Sequence, residues 1–146
     1  MRALVQRVSA GKVSVGGQTV SEIGGGLVIL LGIGHGDGEA QAAWLADKIV
    51  NLRVFEDGAG KMNLSVRDVG GSALVVSQFT LYANLERGRR PSFVEAALPD
   101  LAAPLVETFT EMIRQRGVPA GVGVFGAHML VEIHNDGPVT IWLERD

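Results

Sequence analysis

The sequence predicts an α+β protein, with a mixed, largely antiparallel, barrel-like sheet and two inserted helices. Three observations support this prediction. Strand-like apolar patterns occur at both ends of the chain and in its middle, and two longer segments have the apolar spacing of helices. The helices do not alternate with strands regularly enough for a doubly wound parallel fold. The length of 146 residues fits one domain, covering residues 1–146.

The first third of the chain predicts three strands. Side chains alternate between two faces over residues 2–9 and 12–15, and Gly16-Gly17 then indicates a hairpin turn into a second strand, QTVSEI. Residues 27–33 are continuously apolar, which favours a central strand covered on both faces.

The two helices are predicted from their apolar stripes. Asp37 is a suitable N-cap for a helix over residues 39–53. A second helix is predicted over residues 99–116, and Gly117 is expected to end it. The apolar stripe of the first helix is formed by Ala42, Leu45, Ile49 and Leu52.

The remaining strands are predicted from apolar runs bounded by turn residues. Residues 73–81 form one of them. GVGVFGAHMLVEI and PVTIWLE predict two closing strands, and the HNDGP segment between them indicates a turn.

Composition limits the possible functions. The chain has no cysteine, which excludes disulfides and thiolate metal sites and makes a cytoplasmic location the expectation. The three histidines lack metal-ligand spacing, so no metal and no cofactor are expected. The formal net charge of −3 disfavours extensive nucleic-acid binding, and no DNA partner is expected. No apolar run is long enough to cross a membrane. GIGHGDG lacks the spacing of a dinucleotide-binding loop.

Polar side chains follow the apolar residues 73–76. Ser77, Gln78 and Thr80 bring three hydrogen-bonding groups within four residues, where a core strand would continue with valines. These groups either satisfy the end of the strand or form a site. As a strand, the segment would direct Ser77 and Phe79 to one face and the other two to the opposite face. No histidine lies near them in sequence, so a hydroxyl nucleophile has no evident base.

A second polar segment, NDGPVT, covers residues 135–140. Its Asn, Gly and Pro indicate a turn, which either only connects strands or presents rigid backbone groups to a ligand. The pattern does not choose between these alternatives. A cis peptide bond before Pro138 would not be expected from composition, because such bonds are uncommon.

Together, SQFTL at 77–81 and NDGPVT at 135–140 closely resemble the paired motifs S-Q-F-T-L and N-x-G-P-V-T of the D-aminoacyl-tRNA deacylases. MRALVQRV, IGGGLVILLGI, GKMNLSV and RGRRPSF are similar to other segments of that family, in the same order. The resemblance implies a homodimer that hydrolyses the ester between a D-amino acid and the 3′ end of tRNA. It also implies activity on mischarged glycyl-tRNA, and a site at the subunit interface.

The resemblance also implies roles for particular residues. A cis Gly137-Pro138 loop would enter the partner's pocket and exclude L-amino acids, with Arg7 holding the loop and Asn135 and Thr140 belonging to its motif. The expected catalytic residues are Ser77, Gln78, Phe79 and Thr80. Possible tRNA contacts are Lys61, Arg87, Arg89 and Arg90. Two other functions remain open: a dimeric module that binds RNA ends or nucleotides without turnover, and an ordinary esterase with Thr80 as nucleophile.

Overall fold

The computed structural model describes all 146 residues. It contains eight strands, two α-helices and one 3-10 turn at Phe79–Tyr82. The strands are β1 (Arg2–Val15), β2 (Gln18–Ile23), β3 (Gly26–Gly32), β4 (Phe55–Glu56), β5 (Met62–Leu64), β6 (Ser72–Ser77), β7 (Ala120–Val122) and β8 (Leu130–Glu144). The helices are α1 (Glu39–Val50) and α2 (Pro99–Gln115).

The main sheet is mixed and curls toward a barrel. β1 pairs antiparallel with β2, β3 and β8, whereas β3 with β6 and β6 with β7 are parallel. The two ends of the sheet approach each other, because a side chain at Gly121 in β7 would collide with the Ser21 hydroxyl in β2. The predicted α+β class, with a barrel-like sheet and two inserted helices, is confirmed.

β3 and β6 are covered on both faces, as the apolar runs predict. One face packs against both helices in a core of 22 buried residues that includes Leu45, Ile49 and Phe109. On the other face, Val28 and Leu74 belong to a smaller buried cluster of five residues. Burial on both faces fixes the path of β6 tightly, and so fixes the position of the polar residues at its end.

The first helix and its cap differ from the prediction. The helix ends at Val50 rather than at residue 53, and residues beyond it extend toward the β4–β5 hairpin. Leu52 still packs against the core, which explains why the apolar spacing continues past the helix. The N-cap is Gly38 and not Asp37, because the Asp37 carboxylate has other partners.

Two strand predictions are also wrong in detail. Residues 73–81 are not one strand: β6 ends at Ser77, and a 3-10 turn follows. The alternating residues 2–9 and 12–15 belong to one strand, Arg2–Val15, which precedes the Gly16-Gly17 turn as predicted. The two closing strands are largely one, since β8 includes both LVEI and PVTIWLE, and the HNDGP segment lies inside it. The second helix ends at Gln115, one residue earlier than predicted.

Neither helix combines the length and apolar character that crossing a bilayer requires.

Candidate active site

The SQFT residues lie where β6 changes into the 3-10 turn. Ser77 is the last paired residue of the strand, and the Gln78 amide donates to the Leu31 carbonyl at 2.8 Å. Gln78 then leaves the strand conformation, with φ −145° and ψ 78°. The predicted alternation of faces therefore ends at Ser77. The amide groups of Phe79 and Thr80 begin the 3-10 turn, so they have no hydrogen-bond acceptor within it.

The Thr80 hydroxyl is exposed and has one side-chain partner. Gln78 Nε2 donates to Thr80 Oγ1 at 2.5 Å. An amide group is not a base, so this contact does not activate the hydroxyl as a nucleophile.

An apolar cavity of about 380 Å³ opens beside this corner. Ser77 and Gln78 provide polar groups at one side, and Phe79, which also lines the cavity, meets Phe93 edge-on with ring centroids 5.0 Å apart. Phe79 is 57% exposed despite its size. The rest of the lining is mostly apolar and includes Leu31, Ile33, Leu98, Val106 and Phe125. An apolar cavity with a few polar groups at one side is typical of a small-ligand site.

A buried carboxylate that the sequence analysis assigned to a helix cap supports the far end of the 3-10 turn. Asp37 Oδ2 accepts from the Gly34 amide at 2.6 Å and from the Tyr82 hydroxyl at 3.2 Å. Its Oδ1 accepts from the Met1 amino group at 2.5 Å. Burial, followed by the charge of Asp37 and its hydrogen bond, raises the pKa of the Tyr82 phenol. The carboxylate thus links β3, α1 and the turn that contains Thr80.

The glycines of GIGHGDG have a packing role at this point. A side chain at Gly34 would meet the Tyr82 phenol oxygen at 2.7 Å, and one at Gly32 would meet the Gln78 carbonyl at 3.1 Å. Because both positions must be small, this connection lets Tyr82 and the Gln78 backbone lie directly against β3. From the other side, the Arg2 guanidinium stacks on the Tyr82 ring at 4.2 Å and donates to the Leu81 carbonyl at 3.0 Å.

A basic loop follows the 3-10 turn directly. Asn84 and Ser92 close it through two backbone hydrogen bonds, of 2.8 and 3.0 Å. The loop contains Arg87, Arg89 and Arg90, all exposed and none of them in an ion pair within the chain. Phe93, the next residue after the loop, lines the apolar cavity. The loop that carries the three arginines therefore begins at the 3-10 turn and returns to the apolar cavity at Phe93.

The second motif forms a bulge within β8. Between the pairs Val8–Asn135 and Gln6–Thr140, β1 has one residue, Arg7, while β8 has the four residues 136–139. Gly137 has φ +131°, and the Gly137–Pro138 peptide bond is cis. Both residues are exposed.

Two of the predicted supporting residues hold this bulge. Asn135 Nδ2 donates to the Arg7 carbonyl at 3.1 Å and to the Val139 carbonyl at 3.0 Å. Arg7, only 8% exposed, donates from Nε to the Asp136 carbonyl at 3.0 Å and from Nη1 to the Val54 carbonyl at 2.7 Å. Thr140 instead accepts a hydrogen bond from Gln6 at 3.2 Å.

Within one chain, the two motifs do not meet. Ser77 pairs through Leu31 with Ala3, at one end of β1, while the bulge lies opposite Arg7. Along β1, four residues, about 13 Å, separate the position of Ser77 from that of the bulge, and the two motifs lie on strands separated by β1 and β3.

Lys61 lies apart from both motifs, in the exposed β4–β5 hairpin, where its amide donates to Asp57 Oδ1.

Comparisons with known proteins identify the family. Residues 4–144 match the profile of the family described as D-Tyr-tRNA(Tyr) deacylase. The D-aminoacyl-tRNA deacylase of Thermomicrobium roseum is 63% identical over 144 residues, covering 99% of this chain and 94% of the relative. That of Carboxydothermus hydrogenoformans is 58% identical and covers 99% of both chains.

The chain belongs to the D-Tyr-tRNA(Tyr) deacylase family. This membership confirms the resemblance seen in the two motifs, and it confirms the predicted enzyme class, a D-aminoacyl-tRNA deacylase and therefore a hydrolase. The substrate class, an aminoacyl-tRNA, follows from the family.

Solved structures share the fold of this family member. A protein named c-Myc DNA Unwinding Element Binding Protein superposes with a TM-score of 0.94 and 44% identity, covering 100% of this chain and 99% of that one. A probable eukaryotic D-amino acid tRNA deacylase superposes with a TM-score of 0.79 at 17% identity, covering 97% of both chains, which supports the fold alone.

Proposed function

We propose that this deacylase acts as a homodimer that removes D-amino acids, and mischarged glycine, from the 3′ end of tRNA and excludes L-amino acids. The observation that carries the proposal is the position of the intact SQFT motif, at the edge of an apolar cavity of about 380 Å³. The terminal adenosine and its ester are of a size that such a cavity can hold. A cytoplasmic location, where charged tRNA is used, is part of the same proposal.

The proposed chemistry relies on positioning rather than on a protein nucleophile. Attack of water on the ester places negative charge on the carbonyl oxygen, and preorganised N–H donors are the groups that stabilise such charge. The free amides of Phe79 and Thr80 are the candidates for this role, with Ser77 and Gln78 orienting the ester or the water. The Thr80 hydroxyl already accepts a hydrogen bond from Gln78. The 2′-hydroxyl of the RNA is therefore the better candidate for activating water.

The dimer explains why the two motifs lie apart in one chain. An exposed Gly137–Pro138 bulge, distant from its own SQFT corner, is free to enter the cavity of a second subunit. The exposed Phe79 and Leu98 beside the cavity, 57% and 70% exposed, provide apolar surface for such a contact. Each subunit then contributes to two sites, as two-fold symmetry requires.

The proposed discrimination is steric. D- and L-amino acids differ by exchange of hydrogen and side chain at the α-carbon. Carbonyl groups of Gly137 and Pro138 placed close to one of these directions admit only hydrogen there. Glycine has hydrogen in both directions and is accepted. An apolar L side chain would meet both a clash and a polar wall that it desolvates.

Matched D-, L- and glycyl-tRNA substrates test this function. We expect turnover of the D- and glycyl esters, little turnover of the L esters, and loss of turnover when the terminal 2′-hydroxyl is replaced by hydrogen. Thr80→Ala is expected to keep most of its activity. A module that only binds RNA ends would release no amino acid, whereas an ordinary esterase would lose activity in Thr80→Ala and would ignore the 2′ substitution.

The basic loop provides a separate prediction. Replacing Arg89 and Arg90 by glutamine is expected to raise KM for D-aminoacyl-tRNA and to reduce its dependence on salt by roughly one counterion per lost phosphate contact. KM is measured at several salt concentrations, with the turnover number as the internal control. Identical salt dependence in the double variant and the wild type would remove this loop from RNA binding.

A further inference from the structure

A second cleft, separate from the apolar cavity, is lined only by polar residues and glycine. Its volume is about 670 Å³, and it shares no residue with the cavity beside the SQFT corner. We call it the arginine cleft. Its lining residues are Asn51, Arg53, Asn63, Ser65, Arg67, Asp68 and Gly117.

Two arginines in this cleft have unused donor capacity. Arg53 donates from Nε to the Asn63 carbonyl at 3.1 Å and from Nη2 to Asn63 Oδ1 at 2.7 Å, which fixes one edge of its guanidinium. Asn63 is itself held by Asp57 at 2.8 Å. Arg67 has no side-chain hydrogen bond, and neither arginine forms an ion pair.

The single acidic side chain of the cleft is already engaged. Asp68 Oδ2 accepts from the Ser65 amide at 2.8 Å and from the Ser65 hydroxyl at 3.0 Å. These hydrogen bonds, with smaller contributions from Arg67 and Arg53, hold the pKa of Asp68 below its usual value. The cleft therefore has an excess of one positive charge and planar guanidinium donors, a combination suited to a phosphate group.

A chain of contacts connects the arginine cleft to the Gly137–Pro138 bulge. Arg53 immediately precedes Val54, whose carbonyl accepts from Arg7 at 2.7 Å. Arg7 also donates to the Asp136 carbonyl at 3.0 Å, at the start of the bulge. If the bulge enters the partner's cavity, the chain segment that carries Arg53 approaches that cavity together with it. Every nucleotide before the terminal adenosine contributes a phosphodiester to the RNA held there.

We infer that the arginine cleft of one subunit binds a backbone phosphate of the tRNA acceptor strand whose ester lies in the partner's cavity. This inference rests on the proposed function and extends it, because it makes each tRNA contact both subunits. The proposed ligand of the cleft is an RNA phosphodiester. The aminoacyl-adenosine end of the substrate contains no phosphodiester.

Comparing a long and a short substrate tests the inference. Arg67→Gln removes the unpaired guanidinium without breaking a hydrogen bond within the chain. It is expected to raise KM for D-aminoacyl-tRNA roughly tenfold, the usual worth of a charged hydrogen bond, and to leave KM for a 3′-D-aminoacyl-adenosine unchanged. Lys48→Gln is the matched control, since it also removes one exposed charge that has no side-chain hydrogen bond, and it is expected to leave both values unchanged. An equal rise for both substrates, or no rise for either, would overturn the inference.

Binding of uncharged tRNA gives a readout that does not depend on turnover. Titrations at several salt concentrations are expected to show a salt slope smaller by about one in Arg67→Gln than in the wild type. An unchanged slope contradicts the phosphate contact. A wild type that binds tRNA with this Arg67 dependence but hydrolyses no D-aminoacyl ester would instead contradict the proposed function alone.

Discussion

Arg7→Ala is expected to lower kcat for D-aminoacyl-tRNA about 100-fold, because small displacements of a positioning group cost that much. Arg7 is the one residue of β1 that faces the four-residue bulge of β8. Its guanidinium joins the Asp136 carbonyl, at 3.0 Å, to the Val54 carbonyl, at 2.7 Å. A side chain built at Gly137 would lie 3.0 Å from Arg7 Nη2, so the guanidinium packs directly against the proposed chirality filter.

The same substitution is expected to reduce stability modestly. Two carbonyl groups lose a charged donor, and the buried position leaves them poorly solvated, which costs about 2 kcal/mol of the free energy of unfolding. The expected loss of activity is therefore larger than a loss of folded protein explains. Both quantities are measured, activity by release of the D-amino acid and stability by denaturant titration.

Two variants control this prediction. Arg7→Lys keeps the charge, but one ammonium group does not match both carbonyls, and we expect intermediate activity. Lys12→Ala lies on the same strand and removes only the exposed ion pair with Glu132, so its activity is expected to equal that of the wild type. A folded Arg7→Ala protein with wild-type kcat and wild-type discrimination against L esters would show that the bulge is not part of the site.

Asp37→Ala is expected to give the largest loss of stability, about 3–5 kcal/mol, the usual effect of leaving a buried charge without its partner. The side chain of Asp37 is only 6% exposed and accepts from three donors: the Met1 amino group, the Gly34 amide and the Tyr82 hydroxyl. Without the carboxylate, the Gly34 amide and the Tyr82 hydroxyl lose their acceptor, and the buried Met1 amino group loses its ion pair and keeps only the Arg145 carbonyl, at 2.6 Å. Because Tyr82 ends the 3-10 turn that begins at Phe79, catalytic activity is expected to fall as well.

Tyr82→Phe is the matched comparison for Asp37→Ala, because it removes one donor and keeps the ring. It is expected to cost about 1 kcal/mol. The two variants are compared by denaturant titration at neutral pH. Equal stability of Asp37→Ala and the wild type would show that the three donors find other partners and that the carboxylate does not hold the turn.

The Tyr82 phenol gives this cluster a second readout, in alkaline solution. Its pKa is raised in the folded protein, so above the ordinary tyrosine value of 10.0 the unfolded chain binds fewer protons than the folded one. Ionisation of Tyr82 therefore does not affect the free energy of unfolding below that pH, and it lowers the free energy of unfolding as the pH rises beyond it. This part of the decrease is expected to be absent in Tyr82→Phe. A Tyr82→Phe protein with the same alkaline decrease would assign it to other groups.

Local patterns were sufficient wherever neighbouring residues decide the structure. Apolar spacing located both helices and the doubly buried strand β3, because helix and strand periods determine which side chains face the core. Patterns were insufficient where partners distant in sequence compete. Asp37 has the residue type of an N-cap, but its carboxylate instead accepts hydrogen bonds from the amino group of Met1 and the hydroxyl of Tyr82. The HNDGP segment has turn residues, but pairing with β1 on both sides of Arg7 keeps β8 in one strand.

The sequence by itself determined the fold class, the family and the two motifs, since these depend on the order and chemistry of residues along the chain. Only the tertiary structure decided that the motifs lie at different levels of the sheet and that the SQFT residues leave their strand after Ser77. It alone also brought Arg53 and Arg67 together in a cleft connected to the bulge. The physical reason is that strand pairing and burial join residues far apart in sequence, whereas a local pattern determines only which face of its own element a side chain lies on.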